Sequence, residues 1–308
     1  MSQQTIVQNL ELQSNDINLA KTQYAGLKDL IPDSVNQRLS FELIGSNYAI
    51  ANGLRRTITN EIPVKYLTVS MTDIFSTDPY VVGDIIRSRI EMIPISQNIP
   101  LGTTYSIRFE NKSDTYVDVL SSEIKQRKSN SSGLIQSIPI CSINANHSFV
   151  VENIVVAEAY GYSNGRASIG KISYEILNHD MKNISSANSD PSHFRIELEV
   201  PGNINPKKIV LLAIDTLIDR LNTINYALAK LEYGVYKLLI LNETHTIGNL
   251  LVRYIYNIDP NIEYVAMRLT HPSKRECVID IRHAQAEKLC KRAVENITKE
   301  LSEMKKFY

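Results

Sequence analysis

Asp73, Asp78 and Asp84 are the carboxylates in this 308-residue chain that lie close enough together to raise metal-dependent nuclease chemistry. Such chemistry needs acidic side chains converging on a divalent ion, with a hydroxyl or imidazole partner beside them. No such cluster convenes in the sequence, and the three read as solvated turn residues. The cysteines Cys141, Cys277 and Cys290 are scattered and never form C-x-x-C, so neither a zinc ribbon nor a disulfide framework is expected. His245, His271 and His283 have no Cys or His three or four residues away, and His245 reads as the start of a helix. Gly53 and Gly248 stand outside any G-x-x-x-x-G-K-[ST] or G-x-G-x-x-G pattern, which leaves close packing as their role. No catalytic, cofactor-binding or metal-ligating residue is therefore assigned.

Arg55 and Arg56 are more informative, because a guanidinium offers a fork of donors suited to a partner's carboxylates or carbonyls. They lie in Y-A-I-A-N-G-L-R-R-T-I-T, where Ile50, Leu54 and Ile58 recur every four residues and form one apolar stripe. Asn47 precedes this helix and Pro63 stops it. Gly53 inside it costs about 1 kcal/mol relative to Ala, which a close approach by another helix would explain. Lys125, Arg127 and Lys128 make a small basic surface loop. Lys plus Arg and Asp plus Glu are both 33, so the chain is formally neutral and lacks the basic excess that a phosphate-gripping protein carries. No signal-peptide pattern and no apolar run of about 20 residues is present, which points to an intracellular soluble protein.

The elements that carry these residues form a repeated plan. Residues 6–12 and 38–44 read as strands, with an irregular stretch at 20–36 between them. From 64 to about 177 the pattern turns to short strands, a helix near 81–90, and a polar loop at 121–133; a second loop follows at 178–191. Residues 193–200 alternate, with Phe194, Ile196, Leu198 and Val200 on one side. Asn205 and Pro206 then open a helix expected to reach about residue 232, striped by Ile209, Leu212, Ala213, Leu217, Leu221, Ile224 and Leu228. After Gly234 the plan restarts: a strand at 235–241, a helix from His245 striped by Ile247, Leu251, Tyr254, Ile255 and Ile258, and strands at 262–269 and 277–281. A last helix at 284–306 repeats Leu289, Ala293, Ile297, Leu301 and Met304 at the spacing of a two-helix seam. Glu243 and Thr244 are placed to cap the His245 helix, with Thr244 or Thr246 supplying the oxygen. A sheet with helices on one face cannot cover the outer sides of those helices, so the two copies are expected to pack through them.

These same residues carry a family resemblance. Ala51-Asn52-Gly53-Leu54-Arg55-Arg56, continued by Asn60-Glu61-Ile62-Pro63, resembles the N-x-L-R-R … E-I-P signature of the alpha-like subunits of multisubunit RNA polymerases. R-S-R-I-E-M-I-P-I at 87–95 resembles that family's H-R-L-G-L-I-P-L, with Ser88 where the histidine would be and Glu91 where the glycine would be. E-T-H-T-I-G-N-L-L at 243–251 is similar to E-D-H-T-L-G-N-L-L of the smaller alpha-like subunit. The chain thus resembles the larger and smaller subunits, the third and eleventh of polymerase II, fused as in some large cytoplasmic DNA viruses.

The resemblance implies an α+β fold with two alpha-like dimerisation units, each a sheet plus long helices, forming an intramolecular pseudo-dimer. It places the first unit at 1–63 and 178–232, a β-rich insertion at 64–177, and the second unit at 233–308. It implies a noncatalytic platform that binds the largest and second-largest subunits and a small tenth-subunit-like protein, with little nucleic-acid contact and no membrane. Asn52, Arg55 and Arg56 would lie near the second-largest subunit, while His245, Thr246, Gly248 and Asn249 mark the second copy's helix start. Cellular relatives often hold zinc or an iron–sulfur centre on cysteines of the insertion; with Cys141 alone there, no cofactor is expected, and the catalytic magnesium belongs to the largest subunit. The viral analogy implies the host cytoplasm (the viral factory) and the virion, and the nucleus should that analogy fail. The rival function is a freestanding dimerisation or regulatory module on the same fold.

Overall fold

Alternating apolar residues become paired strands in the computed structural model, which describes residues 5–15, 36–93, 95–126, 138–165, 167–177, 191–201, 204–231, 234–259 and 261–308. Strand β1 (Ile6–Asn15) runs antiparallel to β2 (Asn36–Ile44), whose Leu39, Phe41 and Leu43 all point into the core. The strand ends at Gly45, whose positive φ of 76° turns the chain without a Cβ penalty. Asn47 then caps helix α1 (Tyr48–Arg56), its Oδ1 accepting from the amides of Ala49 at 2.9 Å and Ile50 at 3.2 Å. The helix loosens into a wider π-type turn, Thr57–Glu61, before Pro63. The stretch expected to be irregular at 20–36 lies almost wholly outside the described residues.

Residues 63–168 form a compact unit of their own. Its long strand β9 (Ser148–Ala159) pairs on one side with β3 (Val64–Thr68) and β4 (Ile74–Ser76), and on the other with β5 (Thr104–Glu110). Helix α2 (Gly83–Glu91) contributes Ile86 and Ile90 to the unit's core. The short strand β7 (Lys125–Gln126) extends the sheet beyond β5, and β6 (Val117–Leu120) pairs with β8 (Pro139–Ile143). The R-S-R-I-E-M-I-P-I segment is structural here, because Ile90, Ile93 and Ile95 are all buried. Asp78 departs from expectation. It is buried, and its carboxylate accepts from the amides of Tyr80 at 3.0 Å and Asn144 at 2.8 Å, tying two loops together. Those backbone donors hold its pKa below the ordinary value. Of the basic loop, Arg127 and Lys128 lie outside the described residues, as do most of the loops at 121–133 and 178–191.

The other unit comprises 1–62 and 169–308. The chain re-enters it as β10 (Lys171–Ile176), which pairs with β11 (His193–Pro201) in the first sheet. This corrects the insertion boundary expected at 177, because Ile172, Tyr174 and Ile176 alternate as an edge strand of that sheet. Helix α3 (Pro206–Asn222) follows, capped by Asn205. It is shorter than the helix expected to reach 232. Thr223 closes it through N–H and Oγ1 contacts to the Asp219 carbonyl, and the chain continues as β12 (Tyr226–Lys230). Leu212, expected on the buried stripe, is exposed. The second sheet therefore begins at Tyr226 rather than at 233, and only three residues separate its first strand from α3.

The remaining elements are β13 (Val235–Leu241), α4 (His245–Ile258), β14 (Tyr264–Leu269), β15 (Glu276–Arg282) and α5 (Ala286–Met304). The two sheets share one order, β1-β2-β11-β10 and β12-β13-β15-β14: an outer strand, the strand before the first helix, the strand before the second helix, an outer strand. The match extends to single residues. Asn242 adopts a positive φ of 61° where the first half has Gly45, and Thr244 holds the N-cap position of Asn47. Thr244 makes no side-chain cap bond, which corrects that expectation. In both sheets apolar partners face each other, as in Phe41 opposite Ile196 and Leu238 opposite Ile279. The helices close over them, α1 on α4, α3 on α5 and α4 on α5, leaving Leu217 and Leu301 with no solvent exposure.

Two glycines permit this packing differently. A Cβ on Gly53 would lie 3.4 Å from Leu250 Cδ1 of the facing helix, an ordinary contact. A Cβ on Gly248 would lie 2.9 Å from Met267 Cγ and 3.3 Å from Cys277 Sγ, so this helix rests on its own sheet at glycine distance. Chemical denaturation should find Gly53→Ala neutral or stabilising by up to about 1 kcal/mol, and Gly248→Ala destabilising by roughly 1–3 kcal/mol. In the first sheet, Glu42 accepts from His193 Nε2 at 2.9 Å, Arg195 Nη2 at 3.1 Å and Asn9 Nδ2 at 3.1 Å, crosslinking three strands. The His193 hydrogen bond, with help from Arg195 and Asn9 and against the effect of burial, holds this carboxyl below its ordinary 4.5. A lowered native pKa stabilises fully above 4.5 and ever less as pH falls below that value toward the native pKa. Glu42→Gln should therefore flatten the acid limb of the stability–pH curve below 4.5, and an unchanged limb would contradict this role.

Candidate assembly interface

Two signature helices cross where the halves meet. Helix α1 follows the N-capped turn after β2, and helix α4 follows the equivalent turn after β13, so each sheet delivers its helix in the same way. Their buried residues, Ile50, Leu54 and Ile58 on one and Ile247, Leu250 and Leu251 on the other, carry the apolar stripes.

The structure separates the two signature arginines. Arg56 turns inward: its Nε donates to Thr246 Oγ1 at 3.1 Å, joining the first signature to the second. Burial lowers its pKa from the ordinary value, with Arg55 adding repulsion and Glu61 opposing it. Its counterpart in the second half, Arg253, lies over the Tyr48 ring at 5.3 Å, so each helix sends an arginine to the start of the other. Arg55 instead folds back along its own helix, Nε and Nη2 reaching Asn52 Oδ1 at 3.2 and 2.8 Å. This half-buried Asn52–Arg55 pair presents a guanidinium already oriented by an amide. In the second signature Thr246 and Gly248 are buried, His245 is exposed and Asn249 is half-buried.

A charged seam runs beside the crossing. Arg220 near the end of α3 donates through Nε to Glu243 Oε1 at 2.9 Å, with Nη2 on the other carboxylate oxygen, and its Nη1 lies 3.6 Å from Glu61. Arg275, from the loop between β14 and β15, reaches the same Glu61 at 3.1 Å. The glutamates of both signatures thus share one arginine. Glu61 and Glu243 are each buried, and breaking one partner of such a set typically costs about 3–5 kcal/mol. On the opposite side of the crossing, Glu300 of α5 accepts from Thr5 Oγ1 at 2.7 Å, from Ser46 Oγ at 3.0 Å and from the Tyr254 hydroxyl.

Arg220, Arg275 and Glu300 belong to no motif of the sequence, and only the fold brings them to the signatures. One signal was present for Arg220: it falls three residues after Leu217 and beside Leu221 on a buried stripe, where a charge demands a counter-charge. Among the described residues no three His, Cys, Asp or Glu side chains gather as a metal would require. Burial pushes the thiols of Cys141, Cys277 and Cys290 each up to about 12, so they stay protonated at neutral pH. No helix among the described residues is long and apolar enough to cross a membrane. What the described residues do here is hold the two halves of the chain together.

Comparison with known proteins agrees with this geometry. The profile described as the RNA polymerase Rpb3/Rpb11 dimerisation domain matches residues 40–221, and a second profile of the same description matches residues 236–306. Among curated proteins, the DNA-directed RNA polymerase RPB3-11 homologs of African swine fever virus isolates Warthog/Namibia/Wart80/1980 and Tick/South Africa/Pretoriuskop Pr4/1996 are each 26% identical over 322 residues. Each alignment covers 87% of this chain and 85% of the relative. With two such domains, one in each half and joined at the crossing of α1 and α4, the chain belongs to the RNA polymerase Rpb3/Rpb11 dimerisation-domain family.

Proposed function

We propose that this chain, a noncatalytic subunit of a DNA-directed RNA polymerase, is the platform on which the largest and second-largest subunits assemble. The observation that carries the proposal is the complete internal pairing of two Rpb3/Rpb11-type halves, which supplies in one polypeptide what a two-chain dimer would supply. A platform must be rigid before its partners arrive, and the buried seam through Arg220 supports that reading. The Asn52–Arg55 pair is the element that meets the second-largest subunit, because its oriented guanidinium matches a carboxylate or carbonyl acceptor. His245, exposed, and Asn249, half-buried, at the start of α4 are the further contacts of this reading, and a small tenth-subunit-like protein completes the assembly. The chemistry of nucleotide addition and its magnesium reside in the largest subunit. The viral relatives support action in the cytoplasm of an infected host, and the same reading extends to the viral factory and to packaging into the virion.

The test is reconstitution with the two largest subunits, followed by affinity capture at rising salt. The wild-type chain should retain both subunits, whereas Arg55→Ala should retain its fold and lose about tenfold in affinity for the second-largest subunit. Arg56→Ala should instead lower the chain's own stability, because it removes the bond to Thr246. A wild-type chain that elutes alone at every salt concentration would overturn the platform reading.

A further inference from the structure

The two halves share one plan, yet they differ at the positions where equivalent residues face each other. Gly53 is the sixth residue of α1 and Leu250 the sixth of α4, and these two touch, with Leu250 Cδ1 3.4 Å from where a Gly53 Cβ would be. Equivalent residues in contact mark the local axis relating the halves. Any pairing of a half with a second copy of itself would bring leucine onto leucine or glycine onto glycine there. The first overfills the crossing and the second leaves a void.

Charge differs in the same sense. Ser46 and Glu243 each precede an N-cap, and Arg220 and Glu300 are each the fifteenth residue of their helix. The two related contacts between the halves, one on each side of the crossing, are Arg220 with Glu243, and Glu300 with Ser46. Pairing two second halves would set Glu300 against Glu243, carboxylate against carboxylate. Pairing two first halves would set Arg220 against serine and remove its carboxylate partner across the seam.

We propose that each half is built to accept the other and to refuse a second copy of itself, with size at Gly53/Leu250 and charge at Arg220/Glu243 and Ser46/Glu300 as the discriminators. Specificity of this kind rests as much on the penalty for the wrong pair as on the attraction of the right one. It holds whichever subunits the assembled chain goes on to bind.

Single substitutions in the full chain recreate the refused pairings. Gly53→Leu gives leucine on leucine and Leu250→Gly gives glycine on glycine. Arg220→Glu sets carboxylate on carboxylate, and Glu243→Ser sets arginine on serine. Each should lower the midpoint of thermal unfolding by on the order of 5–10 °C. The exchanged pairs Gly53→Leu with Leu250→Gly, and Arg220→Glu with Glu243→Arg, should each recover at least half of the summed loss. In the size pair the helix-propensity changes also offset each other. Should Gly53→Leu alone fail to fold, a folded double variant still reads as recovery, and the charge pair gives an independent measurement. Losses that simply add in both pairs, or single variants as stable as the wild type, would overturn the proposal.

Discussion

A helix that is apolar on two sides has to be covered on two sides. In this fold each sheet covers one face of its helices, and the other face finds shelter only on the helices of the second half. Ala213, Ile214 and Leu217 of α3, and Ala293, Ile297 and Leu301 of α5, are all buried, which neither half could achieve by itself. The rest of the architecture follows from that requirement. Arginines reach across the crossing to the opposite helix, a glycine at 248 lets α4 rest on its own sheet, and the insertion keeps a separate core of its own.

Apolar burial is non-directional and does not by itself fix how two helix layers register. Buried charge does, since a misplaced carboxylate or guanidinium is costly without its partner. The seam of Glu61, Arg220, Glu243 and Arg275 therefore sets alignment more than it adds stability. It also explains why glutamates recur in both signatures: each is the buried counter-charge to an arginine that belongs to a different element.

Much of this was legible before any coordinates. Period-two alternation marked β2 and β11, asparagine caps marked the starts of α1 and α3, and the leucine and alanine spacing marked the buried face of α5. The end of α3 was hidden because Ile224 and Leu228 continue its four-residue spacing, while Tyr226 and Leu228 equally fit the two-residue spacing of β12. Strand β10 reads with the insertion in sequence, because no change of composition marks the return to the first sheet. In the candidate site the signatures were visible as motifs, but their partners were not. Arg275 lies 214 residues from Glu61 and Glu300 lies 254 from Ser46, distances over which local spacing carries no information. Nor does helical periodicity reveal that Arg55 bonds within its own helix while its neighbour Arg56 bonds outside it.

Thr223 to Asn225, the three residues between α3 and β12, have a consequence for supply. Two separate chains must be made in matched amounts and must find each other, so their union weakens on dilution. A short tether turns that encounter into a unimolecular step at a local concentration of about millimolar. Translation delivers the halves in a fixed one-to-one ratio, and the first exposes its oily helix surface only for as long as the second takes to be made.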